Sequence, residues 1–199
     1  GDYPPTDSIY AARYEGRCLA AQNMPWDLMC WSRMREWLNP YFSSLKTEQQ
    51  LKQEAAAVLM LGGGFQLYIT QNRDGSARRL EYKPLAGLAD FVHKRKMLFK
   101  KKTLAQVGIY YSARSRYENS EIYNAAGATE PLIGIINSVL SAQYTANVVL
   151  EYQYEEFSHY DIIVVPEWND MSDEEISRLA DYARNGGKLV VSGGELCIR

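Results

Sequence analysis

Two groups of residues in this 199-residue chain have types and spacings that can do chemistry. The first is Trp26-Asp27, followed by Trp31. A carboxylate beside indoles can hydrogen-bond ligand hydroxyls while the rings stack on an apolar ligand face. The second group is polar: Gln66 inside a short apolar stretch, then Gln71, Asn72 and Asp74 just beyond it. Polar residues at the end of a barrel strand meet ligands. Each residue also has a plainer reading. Asp27 can hold a tryptophan N–H or a neighbouring arginine, and the two indoles can be core. Asn72-Arg73-Asp74-Gly75 is a good turn on its own.

The elements that would position these residues follow from pattern. Residues 1–25 are polar, Tyr-rich and Pro-containing, which predicts a long loop. Pro25–Trp31 reads as a buried strand. A helix begins near Thr47, where Thr47 and Gln50 form a capping box and Leu51, Ala55, Val58 and Leu59 share one face. Gly62 ends it, and the following Gly62–Gly64 run precedes a strand, so it is no phosphate cradle. Phe65–Thr70 is the next strand, and 85–99 a helix with Leu88, Phe91, Val92 and Leu98 inward. Composition then shifts at the basic run Lys94–Lys102, which places a domain boundary at 102. Beyond it, 104–111 reads as a strand, 112–128 as a polar loop and 130–142 as an apolar helix. Strands near Val148–Tyr152 and Asp161–Pro166 follow. A helix capped by Ser172 and Glu175 and stopped by Gly186 leads into a last strand at Lys188–Ser192. Apolar strands without alternation predict a parallel sheet covered on both faces, so 103–199 is expected to be flavodoxin-like.

Composition excludes several classes. Net charge is −2, and the basic run lacks interleaved aromatics, so no nucleic-acid partner is expected and the run reads as a solvated helix end. No apolar run is long enough to span a membrane. Cys18, Cys30 and Cys197 form no C-x-x-C pair, and His93 and His159 lie far apart, so neither a disulfide framework nor a metal site is expected. No motif calls for a cofactor. Trp168-Asn169-Asp170 leads straight into the Ser172 cap and reads as a turn.

Asp2-Tyr3-Pro4-Pro5-Thr6-Asp7, Pro25-Trp26-Asp27 with Trp31-Ser32, Gly62–Tyr68 and Gln71–Gly75 follow in an order and spacing that resembles the C-terminal part of the barrel of alpha-L-fucosidase-like glycoside hydrolases. Tyr160–Pro166, Met171–Glu175 and Asn185–Val191 resemble a class I glutamine-amidotransferase-like domain of the kind that follows the barrel in beta-galactosidases with a trimerisation domain. The first resemblance implies that Asp7 occupies the general-acid position, one methylene shorter than the usual glutamate, and that the nucleophile lies upstream. The second implies no amidase chemistry, because Ser192-Gly193-Gly194-Glu195-Leu196-Cys197 lacks the Gly-x-Cys-x-Gly elbow. It implies a structural or oligomerising role instead. A periplasmic or extracellular setting follows from family analogy alone.

The expected fold is therefore α/β: closing βα units of a (β/α)8-type barrel over 1–102, then a flavodoxin-like domain over 103–199, both shorter than the complete folds. The expected function is part of a glycoside hydrolase acting on an oligosaccharide, inactive by itself. Asp7 would be catalytic, and Trp26, Asp27, Trp31, Gln66 and Asn72 would bind substrate. The alternative is a non-catalytic carbohydrate-binding or oligomerisation module.

Overall fold

The structure is a computed structural model describing residues 8–35, 43–118 and 126–193. Contacts divide the chain into two compact units, Gly1–Lys102 and Thr103–Arg199.

The first unit holds helices α1 (Ser8–Ala20), α2 (Glu48–Met60) and α3 (Tyr82–Arg95). Its strands are β1 (Asp27–Trp31), β2 (Arg33–Arg35), β3 (Ser43–Leu45) and β4 (Gly64–Tyr68). β1 and β4 pair in parallel, and β2 and β3 form an antiparallel pair. The capping box at α2 forms as its residue types dictate: Gln50 N–H donates to Thr47 Oγ1 at 3.2 Å, and Thr47 N–H to Gln50 Oε1 at 2.8 Å. Gly62 takes φ +93° just after the helix, a conformation that suits glycine. The core joins Ala11, Ala12, Leu28, Cys30, Leu51, Ala55, Val58 and Leu88.

Two expectations here need correction. Residues 8–20 are a helix, not a loop. Its buried face is made of Ala11, Ala12 and Gly16, which are too small to register as an apolar stripe yet allow close packing against its neighbours. A Cβ on Gly16 would lie 3.1 Å from Leu61 Cδ1. Leu98 does not face inward: the α-helix ends at Arg95, a 3-10 turn follows, and Leu98 is exposed.

The second unit is a four-stranded parallel sheet of β5 (Val107–Tyr111), β6 (Ala146–Leu150), β7 (Ile162–Val165) and β8 (Lys188–Val191), in spatial order β6-β5-β7-β8. Every residue of the inner strand β5 is buried. Leu104 is exposed, so this strand starts later than its apolar run suggests. Its helices are α4 (Ala113–Glu118), α5 (Ala126–Ser141) and α6 (Asp173–Arg184). α4 corrects the expectation of an unbroken loop after β5, and α5 starts earlier than the apolar run did. The steps β5 to β6 and β7 to β8 run in opposite directions across the sheet. Right-handed crossovers therefore put α5 and α6 on opposite faces. The Ser172–Glu175 capping box forms at α6. The mixed α/β class with parallel sheets read from the sequence is the fold of the structure.

Candidate functional site

Strand alternation sorts the side chains of the β1/β4 pair. Leu28 and Cys30 point into the helix-facing core with no exposed surface. Asp27, Met29 and Trp31 lie on the other face with Gln66 and Tyr68, in the register Asp27↔Gly64 to Trp31↔Tyr68. Both strands run the same way, so their C-terminal ends form one rim, where loops carry chemistry in parallel barrels.

At that rim the rings of Trp31 and Tyr68 lie 4.9 Å apart, tilted by 42°. Ser32 N–H donates to Tyr68 C=O at 2.9 Å, extending the pairing by one step. Beside it, Glu81 is almost wholly buried and binds Arg33 Nη2 at 3.0 Å, while Ser32 Oγ donates to it at 3.4 Å. The loop after β4 is a closed polar turn. Asn72 N–H donates to Ser76 C=O at 2.8 Å, and Asn72 Nδ2 to Ser76 Oγ at 3.0 Å. Asp74 Oδ1 accepts from Ser76 N–H at 3.0 Å and Ser76 Oγ at 2.7 Å, which holds its carboxyl below the usual carboxylate range. Gly75 completes the turn at φ +83°.

The opposite, N-terminal end holds the rest of the sequence-derived set. Asp27 Oδ2 accepts from Gln66 Nε2 at 2.7 Å. The Trp26 indole packs flat over Gly63, where an added Cβ would lie 2.4 Å from the ring, and it also touches the first unit's core. Asp27 and Trp31 are four strand steps apart, about 13 Å at ~3.3 Å per residue. One sugar ring cannot touch both ends: Trp31 and Tyr68 lie at the C-terminal rim, Trp26 and Asp27 at the other end, and Gln66, opposite Met29, midway, while the Asn72 loop follows β4 on the rim side. Asp7 lies outside the described residues.

Sequence reasoning missed a buried polar cluster. Lys46 Nζ pairs with Glu54 Oε2 at 2.9 Å with no exposed side-chain surface on either partner, and Cys30 Sγ donates to the same oxygen at 2.7 Å. Its one visible sign was Glu54 itself, a charge inside the Leu51, Ala55, Val58 stripe. Glu81 had no such signal.

In the second unit, ligands would enter the crevice between the C-terminal ends of β5 and β7, where strand order reverses. That crevice is filled. Trp168, 3% exposed, donates its indole N–H to Tyr110 C=O at 2.9 Å and packs edge-on against Tyr111 with centroids 5.5 Å apart. Tyr110 Oη donates to Glu175 Oε1 at 2.9 Å, and burial, reinforced by that carboxylate, pushes its phenol far above the ordinary value. Burial alone would raise Glu175, but hydrogen bonds from Ser172, Ser112 and Tyr110 hold it below its usual range. Trp168 sits in a loop, as read from the sequence, and its side chain is core.

Among the described residues, no three His, Cys, Asp or Glu side chains cluster to hold a metal ion, and no helix is long and apolar enough to cross a membrane.

Residues 137–193 match the family described as "Beta-galactosidase trimerisation domain". No curated protein matches the sequence. Among solved structures, alpha-L-fucosidase isoenzyme 2 from Paenibacillus thiaminolyticus superposes with TM-score 0.74 at 16% identity, over 98% of this chain and 29% of that one. A catalytic mutant of Gan42B, a GH42 beta-galactosidase from G. stearothermophilus, gives TM-score 0.72 at 17% identity, over 96% of this chain and 32% of that one. The cold-adapted beta-galactosidase from Rahnella sp. R3 gives 0.68 at 13% identity, over 96% and 32%. The chain thus spans about a third of the length of these structures. Residues 137–193 thus match a domain described as a beta-galactosidase trimerisation domain, and the fold of the chain is one found within a fucosidase and a beta-galactosidase.

Proposed function

We propose that this chain is part of a glycoside hydrolase that cleaves a glycosidic bond of an oligosaccharide, and that its second unit holds copies of the protein together. The observation that carries this reading is the trimerisation-domain match over 137–193. The filled crevice supports it: among the described residues, Trp168 packed on the C-terminal end of β5 occupies the usual ligand entrance of a doubly wound sheet. What remains for this unit is surface, which suits assembly.

In the first unit, the Trp31–Tyr68 pair at the rim offers an aromatic face for a sugar ring, and Asn72 shapes the neighbouring loop. Asp27 and Gln66 fix the far end of the strands. Asp7 is the proposed general acid. The carboxylates near β1 are each bonded to a protein partner: Asp27 to Gln66, Glu54 to Lys46, Glu81 to Arg33. That supports a chain without turnover by itself, the nucleophile coming from elsewhere in the protein.

Two measurements test this. Sedimentation of the 22.7 kDa chain should show a species of three copies, about 68 kDa. The full natural protein should hydrolyse a nitrophenyl glycoside, with loss of rate on Asp7→Asn, while this chain alone should not. A monomer at all concentrations refutes the assembly role. Turnover by the chain alone refutes the division of labour.

A further inference from the structure

On the helix-facing side of β1, three reactive side chains meet that have no part in the function proposed above. Glu54 Oε2 is 2.9 Å from Lys46 Nζ and 2.7 Å from Cys30 Sγ, and Lys46 Nζ is 3.5 Å from Cys30 Sγ. Cys30 and Glu54 are wholly buried and Lys46 is 1% exposed. We infer that Cys30 and Lys46 form an oxidative modification site, at which one oxygen atom becomes a covalent bridge between Sγ and Nζ.

The geometry supplies what that reaction requires. Sulfur and nitrogen are in van der Waals contact, so a single inserted oxygen spans them. The Cys30 thiol donates to Glu54 Oε2, which aligns its S–H bond with a proton acceptor as the sulfur is oxidised. Glu54 touches both groups and can take one of the three hydrogens they lose as a proton, the other two leaving in the water formed. Burial keeps competing thiols away from the sulfur, while dioxygen is small and apolar enough to enter a protein interior. The bridge holds the sulfur at its first, sulfenic level of oxidation, which is reversible by thiols.

With dioxygen as oxidant, the step balances as follows. The Cys30 thiol, the Lys46 ammonium, the Glu54 carboxylate and one dioxygen give the S–O–N–H bridge, a protonated Glu54 and one water. The O–O bond breaks, an S–O and an N–O bond form, and one S–H and two N–H bonds are lost. Dioxygen takes four electrons, two from sulfur and two from nitrogen. The product ties β1 to the residue just before the Thr47 cap, closing a ring between positions 16 apart. A ring of that size shifts the folding equilibrium by about a hundredfold through lost unfolded-state entropy.

The test compares the intact chain prepared without dioxygen and after equilibration with air. Aeration should add the mass of one oxygen less two hydrogens. Peptide mapping should place it on a cross-linked pair containing Cys30 and Lys46, and dithiothreitol should reverse it. A Cys18→Ser, Cys197→Ser variant should keep the bridge. Lys46→Arg, which keeps a cation beside Glu54, should lose it. Unchanged mass after aeration, or whole-oxygen gains on Cys30 without a joined peptide, overturns the inference. Both outcomes are read on the wild-type chain, so they stand even where a variant fails to fold.

Discussion

Glu54 and Lys46 make an ion pair 2.9 Å long inside the first unit with neither side chain exposed. At an effective dielectric of about 20 the Coulomb attraction at that distance is roughly 6 kcal/mol. Removing each charge from water costs several kcal/mol. The two terms nearly cancel, so the intact pair contributes little net stability, but either half left alone does not. Glu54→Leu strands the ammonium in the core and should cost about 3–5 kcal/mol, as should Lys46→Met, which strands the carboxylate. The double variant Lys46→Met, Glu54→Leu removes both charges and fills similar volume, and should unfold within about 1 kcal/mol of wild type or be more stable. Cys30 then keeps an acceptor, because its Sγ also lies 3.3 Å from Trp31 C=O. Urea unfolding followed by far-UV circular dichroism, compared at equal denaturant dependence, measures all four proteins. If the double variant loses the sum of the two single losses, the groups are not coupled. If each single variant loses less than about 1 kcal/mol, the pair is not buried as described.

The filled crevice predicts that Trp168→Ala destabilises the second unit by about 3–5 kcal/mol in chemical unfolding, since it removes a buried indole together with its bond to Tyr110 C=O. Ser172→Ala should cost about 1 kcal/mol through loss of the α6 cap, read by the same assay. Because hydrogen bonding holds the folded Glu175 carboxyl below its ordinary value of 4.5, its contribution is complete above that value and is lost as pH falls through the lower folded one. Stability of Glu175→Gln should therefore fall less steeply than wild type on acidification below 4.5, measured by acid titration of the unfolding midpoint. Gly63→Ala should cost about 1–3 kcal/mol, because the added methyl meets the Trp26 ring at 2.4 Å and a packed indole cannot retreat; a thermal melt reports it.

What could be read in advance was whatever rests on local chemistry. Both capping boxes, Thr47–Gln50 and Ser172–Glu175, announce themselves because a hydroxyl and a carboxyl or amide three residues apart satisfy backbone groups at a helix start. Strands β5 and β7 show as short apolar runs without polar alternation because they are inner strands of a parallel sheet. α1 stayed hidden because close packing there needs small residues, and Ala11, Ala12 and Gly16 carry little hydrophobic signal. The site was harder. Trp26-Asp27 and Trp31 look like one cluster in sequence, but a strand's rise carries them to opposite ends of β1. The Lys46–Glu54–Cys30 cluster joins three elements, and nothing in the spacing of a lysine, a glutamate and a cysteine says that they converge.

The strand order β6-β5-β7-β8 also bears on how the second unit comes into being on the ribosome. Its first-made strand, β5, is the one that both β6 and β7 join, and β8 then joins β7. Each strand after β5 therefore finds a neighbour already synthesised when it emerges. At about 5–20 residues added per second, successive strands emerge roughly half a second to several seconds apart. The sheet can grow outward in the order it is translated.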